Sequence, residues 1–193
     1  MLSRRDPPLA EIYVVGVVLS DSAPRNIDLG AEVGAVFDHA AVAAPRIRDL
    51  LPVYRDLLGG RFLIGGDNAR VGFRWLQLQF RDGSKIELLE ALPGSAFLDR
   101  FLQRTGGGGL HHVTFKVDDI ELTLDRMRER GYRPHGLFLV DPSWFEVFLH
   151  PKETHGTLIQ LVQEARPAVI PPDLTLEDVL AGRGEHGTGM PSH

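Results

Sequence analysis

The sequence predicts an α+β fold built from two βαβββ modules packed around a pseudo-twofold axis. Three observations carry this prediction. The chain matches itself at one ungapped offset of 73 residues; elements of the same kind coincide at that offset; and a histidine and an oxygen donor recur at equivalent places in both copies. Internal repeats of this kind belong to units that complete a core only together.

The offset pairs His39 with His112, Ile47 with Ile120, Leu51 with Leu124, Arg55 with Arg128, Leu76 with Leu149, Gly83 with Gly156, Ile86 with Ile159, and Leu88 with Leu161. Eight identities over the 54 positions from Phe37 to Glu90 is a low count, so the element pattern bears the weight. Each copy opens with a strand, Val36 to Ala43 and Leu110 to Val117. Ile47, Leu50, Leu51, Tyr54 and Leu58 then recur at helical spacing, as do Ile120, Leu124 and Met127 in the second copy. Proline has no N–H to donate inside a helix, so Pro52 places the start of the first helix near Leu51. Gly59-Gly60 and Gly131 end the two helices. Three strand-like runs follow in each copy. They are Arg61 to Gly65, Phe73 to Phe80 and Lys85 to Leu92 in the first, and His135 to Val140, Phe145 to His150 and Thr157 to Gln163 in the second. Asp82-Gly83 is a hairpin signal between the last two strands of the first copy.

Five regions follow: 1–34, an extension with one strand at Ile12 to Leu19; 35–93, the first module; 94–109, a linker; 110–164, the second module; and 165–193, a tail. The linker holds a short helix, Ala96 to Arg104, and a glycine run, Gly106 to Gly109. That run lacks the Lys and Ser/Thr of a phosphate-binding loop and precedes a strand, so it reads as a connection. The tail holds a helix at Asp173 to Ala181 and a polar end expected to be disordered.

Composition excludes several classes. The 193 residues are enough to bury a core without cross-links. With no cysteine, any metal must be held by nitrogen and oxygen. A net charge of −5 argues against a nucleic-acid partner, and no apolar run is long enough to span a bilayer, so no membrane partner is expected. Ile12 to Leu19 is short for a signal segment and is flanked by Asp6 and Glu11, which points to a cytoplasmic protein. A homodimer is the expected assembly, with that segment as one candidate contact.

Strand alternation puts His39 on one face with Phe37 and Ala41, and His112 with Leu110 and Thr114. In the last strands the offset pairs Glu87 with Gln160. A lone strand histidine is usually a packed or surface residue. Two at equivalent positions, each with an equivalent oxygen donor, favour a shared centre for a divalent ion such as Mn, Fe, Co, Ni or Zn.

The same residues carry a family resemblance. FDHAAVA at Phe37 to Ala43, GLHHVTFKVDDIE at Gly109 to Glu121, KIELLEAL at Lys85 to Leu92 and FLHPKETHGTLIQLVQ at Phe148 to Gln163 resemble the vicinal oxygen chelate superfamily. Within it they are most similar to methylmalonyl-CoA epimerases and glyoxalase-I-like proteins. The resemblance covers Phe37 to Gln163. It implies a cup-shaped mixed β-sheet with helices outside, and His39, Glu87, His112 and Gln160 as the metal ligands. Two departures stand out: an amide at Gln160 where the epimerases carry a carboxylate, and a third strand, FRWLQLQF, with no acid.

The chemistry implied is metal binding of two vicinal substrate oxygens, which stabilises an enolate, and proton transfer by a nearby carboxylate or imidazole. Alternation sends Leu76, Leu78 and Phe80 under the helix and Trp75, Gln77 and Gln79 to the substrate pocket, with Thr114. From the other side the offset presents Glu146, Phe148 and His150. Glu87, Glu146 and His150 are the candidate catalytic residues, and Phe148 lines the pocket. Lys85 and Lys116 are candidate contacts for an anionic substrate. The expected activity is a metal-dependent epimerase or isomerase acting on a small molecule with vicinal oxygens, an acyl-CoA among the candidates. The alternatives are a glyoxalase-I-like lyase, a non-haem iron dioxygenase and a non-catalytic small-molecule binding or resistance protein.

Overall fold

The computed structural model describes residues 28–94, 96–139, 144–166 and 171–184. The strand expected at Ile12 to Leu19, the end of the tail from residue 185 and Val140 lie outside them. Among the described residues, eight strands form one sheet: β1 (Val36–Ala43), β2 (Arg61–Asn68), β3 (Phe73–Gln79), β4 (Lys85–Ala91), β5 (Gly109–Lys116), β6 (His135–Phe138), β7 (Phe145–Leu149) and β8 (Leu158–Gln163). Their order is β2-β3-β4-β1-β5-β8-β7-β6. β1 runs parallel to β4 and β5 parallel to β8, while β1 and β5 pair antiparallel at the centre. The sheet is mixed and the fold α+β, as expected. Its two ends meet: the Arg70 guanidinium, in the β2–β3 turn, lies 4.3 Å from the ring centre of Phe138 in the opposite edge strand.

Helices cover the outer face. Leu76, Leu78 and Leu88 are fully buried there against Ile47, Leu51 and Val42. The expected first helix is irregular: a 3₁₀ turn, Ile47–Asp49, leads into a wide π-helical segment, Pro52–Leu57. Leu58 donates its N–H to the carbonyl of Val53, five residues back, and this widened path still seats Leu51 and half-buried Tyr54 on the sheet. In the second half α3 (Ile120–Glu129) is regular, capped by the Asp119 side chain, and packs Ile120 and Leu124 onto Val117 and Val147. The flanking regions add one short helix to each layer. α1 (Leu29–Glu32), unforeseen in the sequence, sets Leu29 on the α3 layer, and α4 (Leu176–Leu180) buries Val179 in the other.

The linker does more than connect. α2 (Asp99–Thr105) and the preceding Leu98 pack on the inner face, where buried Leu98 meets Ala41, Ala43 and Leu89, with Trp75, Phe101 and Leu102 around them. This plugs one end of the cup with apolar side chains. Gly108 is required there: a Cβ would sit 2.4 Å from the Ala43 carbonyl oxygen, and its φ of +144° is a conformation L side chains rarely adopt.

One register expectation is corrected. Gln77 lies opposite Glu87, whereas Phe148, not His150, lies opposite Gln160. The third strands therefore correspond two residues out of step with the offset of 73. The longer turn between β7 and β8 absorbs the slip. Val147, not Leu149, takes the buried core position that Leu76 holds in the first half.

No helix among the described residues is long and apolar enough to cross a membrane. Truncating a side chain that the sheet and helix layer enclose completely leaves a cavity. Leu78→Ala is expected to lower stability by about 2–5 kcal/mol, read as a fall in the urea midpoint at unchanged slope.

Candidate metal centre

Register alone assembles the polar floor of the cup. Ala41 of β1 has Glu87 of β4 on one side and His112 of β5 on the other. Thr114 of β5 has His39 of β1 on one side and Gln160 of β8 on the other. Two rows thus cross the centre of the sheet, each with an oxygen donor, a small residue and a histidine. They share one face, and all six residues are buried.

The ligand atoms converge. One donor atom each from His39, Glu87 and His112 lie within 4.8 Å of one another. His39 Nε2 is 3.6 Å from Glu87 Oε2, and His112 Nε2 is 3.8 Å from Glu87 Oε1. Gln160 stands one hydroxyl away: Thr114 Oγ1 donates to Gln160 Oε1 at 2.6 Å and lies 3.1 Å from His39 Nε2. Gln77 also reaches the centre, donating Nε2–H to Glu87 Oε2 at 3.3 Å.

The electrostatics are compatible with a bound cation. Burial raises the Glu87 carboxyl above its ordinary value, opposed by His39 and the Gln77 hydrogen bond. Burial pushes His112 well below an ordinary imidazole, with His111 and His39 adding to the effect, so the ring is neutral. Its Nε2 is buried without a hydrogen-bond partner, an arrangement that normally costs on the order of 1–3 kcal/mol. His39 Nδ1 donates to the Asp38 carboxylate at 2.7 Å, so in the neutral ring Nε2 is a lone pair. Thr114 has one hydroxyl proton for two acceptors. An unpartnered imidazole nitrogen and a second imidazole beside a buried carboxylate fit a divalent ion with nitrogen and oxygen ligands.

The other predicted residues divide. Glu146 joins the site: its Oε2 accepts from Gln160 Nε2 at 2.7 Å and from Trp144 Nε1 at 3.2 Å. Burial raises its carboxyl above the ordinary value against those two hydrogen bonds, and Glu87 adds to the rise. Phe148 lies beside Gln160 in the cup. Trp75 is spent on the apolar plug, and Gln79 stands at the edge opposite Lys85. His150 is not brought in: it is exposed at the end of β7, where its Nδ1 accepts from the Lys152 N–H. Lys85 and Lys116 are not free for a substrate anion either. Lys85 binds both oxygens of Asp38 at 2.8 Å, and Lys116 binds Glu164 with Asp38 3.5 Å away. Burial pushes the Asp38 carboxyl upward, but hydrogen bonds from His39 and Lys85 overcome this and hold it well below the usual range. Sequence reasoning missed Asp38, because strict alternation puts it on the face opposite His39.

A mixed sheet whose ends meet around two imidazoles and a carboxylate defines a metal-competent cup of the vicinal oxygen chelate kind. The chain belongs to the Glyoxalase/Bleomycin resistance protein/Dioxygenase superfamily, whose family model matches residues 38–145. It is 31% identical over 131 residues to an ethylmalonyl-CoA/methylmalonyl-CoA epimerase of Cereibacter sphaeroides, a match covering 65% of this chain and 96% of that protein. A crystal structure of methylmalonyl-CoA epimerase from Mycobacterium tuberculosis superposes with a TM-score of 0.60 at 26% identity, over 69% of this chain and 88% of that one. A methylmalonyl-CoA epimerase in complex with methylmalonyl-CoA and NH4+ superposes with a TM-score of 0.58 at 29% identity, over 70% and 97%.

The raised value of Glu87 makes a prediction for the metal-free protein. The native state holds this proton more tightly than the unfolded chain, so stability falls as pH rises from the unfolded value, near 4.5, through the folded one. Glu87→Gln removes the buried charge and offers an N–H to the unpartnered His112 Nε2. With chelator present it is expected to exceed the wild type at pH 7 by roughly 0.5–2 kcal/mol. Urea titrations should show that advantage vanishing below about pH 4, where both states of the wild type are protonated.

Proposed function

We propose that the chain is a metal-dependent epimerase of the methylmalonyl-CoA type, with His39, Glu87, His112 and Gln160 as the metal-binding set. Its step moves a proton at the carbon next to a thioester carbonyl. The observation that carries this reading is the hydrogen bond from Gln160 Nε2 to Glu146 Oε2. It ties a second, half-buried carboxylate to the His39–Glu87–His112 cluster from the β8–β7 side, while Glu87 stands on the β4 side.

Epimerisation removes a proton from one face of the α-carbon and returns one to the other, so two groups are needed. Glu146 and Glu87 flank the histidine pair from opposite halves of the sheet. Burial raises both, bringing each carboxyl nearer to the neutral range in which it can accept and release a proton. The electron pair of the broken C–H bond passes to the thioester oxygen, forming an enolate, and returns to carbon when the second carboxyl delivers its proton. A divalent ion bound by the four residues supplies Lewis-acid stabilisation of that enolate. The amide at position 160 cannot itself move a proton. Its part is to hold Glu146, which serves as the base in place of a carboxylate at position 160. Phe148 and the apolar plug under Trp75 exclude water from the floor of the cup. The ion is one of Mn, Fe, Co, Ni or Zn.

Incubation of methylmalonyl-CoA in D₂O with the metal-loaded protein is expected to wash deuterium into the α-carbon and to interconvert the two epimers. Glu146→Gln should lower kcat by roughly 10²–10⁴-fold with KM little changed. His150→Ala should leave both constants near wild type. No exchange with this thioester under metal loading would refute the reading.

A further inference from the structure

Each histidine of the centre is gripped by the residue just before it. On a regular strand this cannot happen, because consecutive side chains point to opposite faces. Two β-bulges allow it. Along the β1–β5 pair, Phe37 faces Phe115 and His39 faces Thr114, which leaves Asp38 as the extra residue of β1. Farther along, Ala41 faces His112 and Val42 faces Leu110, which leaves His111 as the extra residue of β5. A bulge rotates the local backbone and re-aims side chains. Asp38 Oδ2 consequently reaches His39 Nδ1 at 2.7 Å, and His111 Nδ1 reaches His112 Nδ1 at 2.9 Å. The two bulges are themselves 73 residues apart, the offset that relates the two histidines.

Resting on the metal-centre reading above, we propose that Asp38 and His111 are paired positioning residues. Each takes the Nδ1 proton of the following histidine, so that both Nε2 lone pairs face the ion. The tautomers follow from the geometry. His39 Nδ1 donates to Asp38 and His112 Nε2 has no hydrogen-bond partner, so with both Nε2 lone pairs turned to the ion both Nδ1 atoms carry the hydrogen. For His112 the acceptor is His111 Nδ1, and His111 therefore carries its own hydrogen on Nε2. The rings of Phe97 and Phe101 pack against His111, the latter edge-on at 4.9 Å, and fix its plane. The two supports differ in charge. His39 is backed by a carboxylate that Lys85 and Lys116 neutralise from outside, and His112 by an imidazole. Groups that orient a ligating histidine through its second nitrogen typically contribute 10–100-fold to metal affinity.

The test uses the full chain stripped with chelator and titrated with Co(II) against a competing indicator, with melting of the metal-free protein measured in parallel. His111→Phe keeps a ring between Phe97 and Phe101 but has no acceptor. It is expected to weaken Co(II) binding about 10–100-fold while the metal-free melting temperature moves little. His111→Gln, which restores an acceptor, should recover most of that loss, and Asp38→Asn should weaken binding about tenfold. Wild-type affinity in His111→Phe, or a loss matched by a collapse in metal-free stability and not relieved by Gln, would overturn the proposal while leaving the metal centre standing. Failure of the wild type to bind Co(II) would remove the centre and this proposal with it. A direct check needs no variant. Imidazole ¹⁵N correlations in the wild type should show His112 protonated on Nδ1 and His111 on Nε2, and the reverse pair would contradict it.

Discussion

The antiparallel pairing of β1 with β5 is the constraint on which everything polar in this molecule depends. Two strands that begin 73 residues apart in the sequence run past each other through the middle of the sheet. Each brings one histidine, and each carries a parallel neighbour, β4 or β8, on its outer side. Because the central pair is antiparallel, the residue that flanks the ligand row in one strand faces the ligand of the other. Neither half holds the site alone. A slip of one residue in this pair would leave the two histidines on opposite faces of the sheet.

The centre is built against the stability of the protein that holds it. A buried carboxylate, an imidazole whose Nε2 has no partner and a hydroxyl shared between two acceptors all cost free energy in the absence of a bound cation. What offsets them is on the other face: two layers of aliphatic side chains, one under the Ile47–Leu57 segment and α4, the other under α1 and α3. Arg74, bound to Asp67, Glu90 and the Leu180 carbonyl, ties α4 to the sheet. The packed outer layers thus support a polar floor whose candidate ligands are already held together.

Much of this was legible in one dimension. Strand alternation separated Leu76 and Leu78, which are in the core, from Gln77, which touches Glu87. The equivalence of His39 with His112 and of Glu87 with Gln160 anticipated the two rows. The reading failed where the period of two fails. At Asp38 and His111 the bulges bring neighbouring side chains to one face, and no propensity marks a bulge at either position. It also failed where an ungapped offset hides compensating insertions, as in β7, so that His150 was expected at a place held by Phe148.

What the sequence by itself determined is the pattern: which residues could be ligands, which faces are apolar, and that a histidine and an oxygen donor recur at one offset. Those properties are written in residue type and spacing, and spacing survives folding wherever strands are regular. What only the tertiary structure decided is partnership. Lys85 and Lys116 turn to Asp38 and away from substrate, Glu146 closes on Gln160, and His111 becomes the support of His112. These contacts join side chains through bulges and across strands whose register no local signal encodes. They are settled by long-range pairing and by the requirement that each buried polar group find a partner.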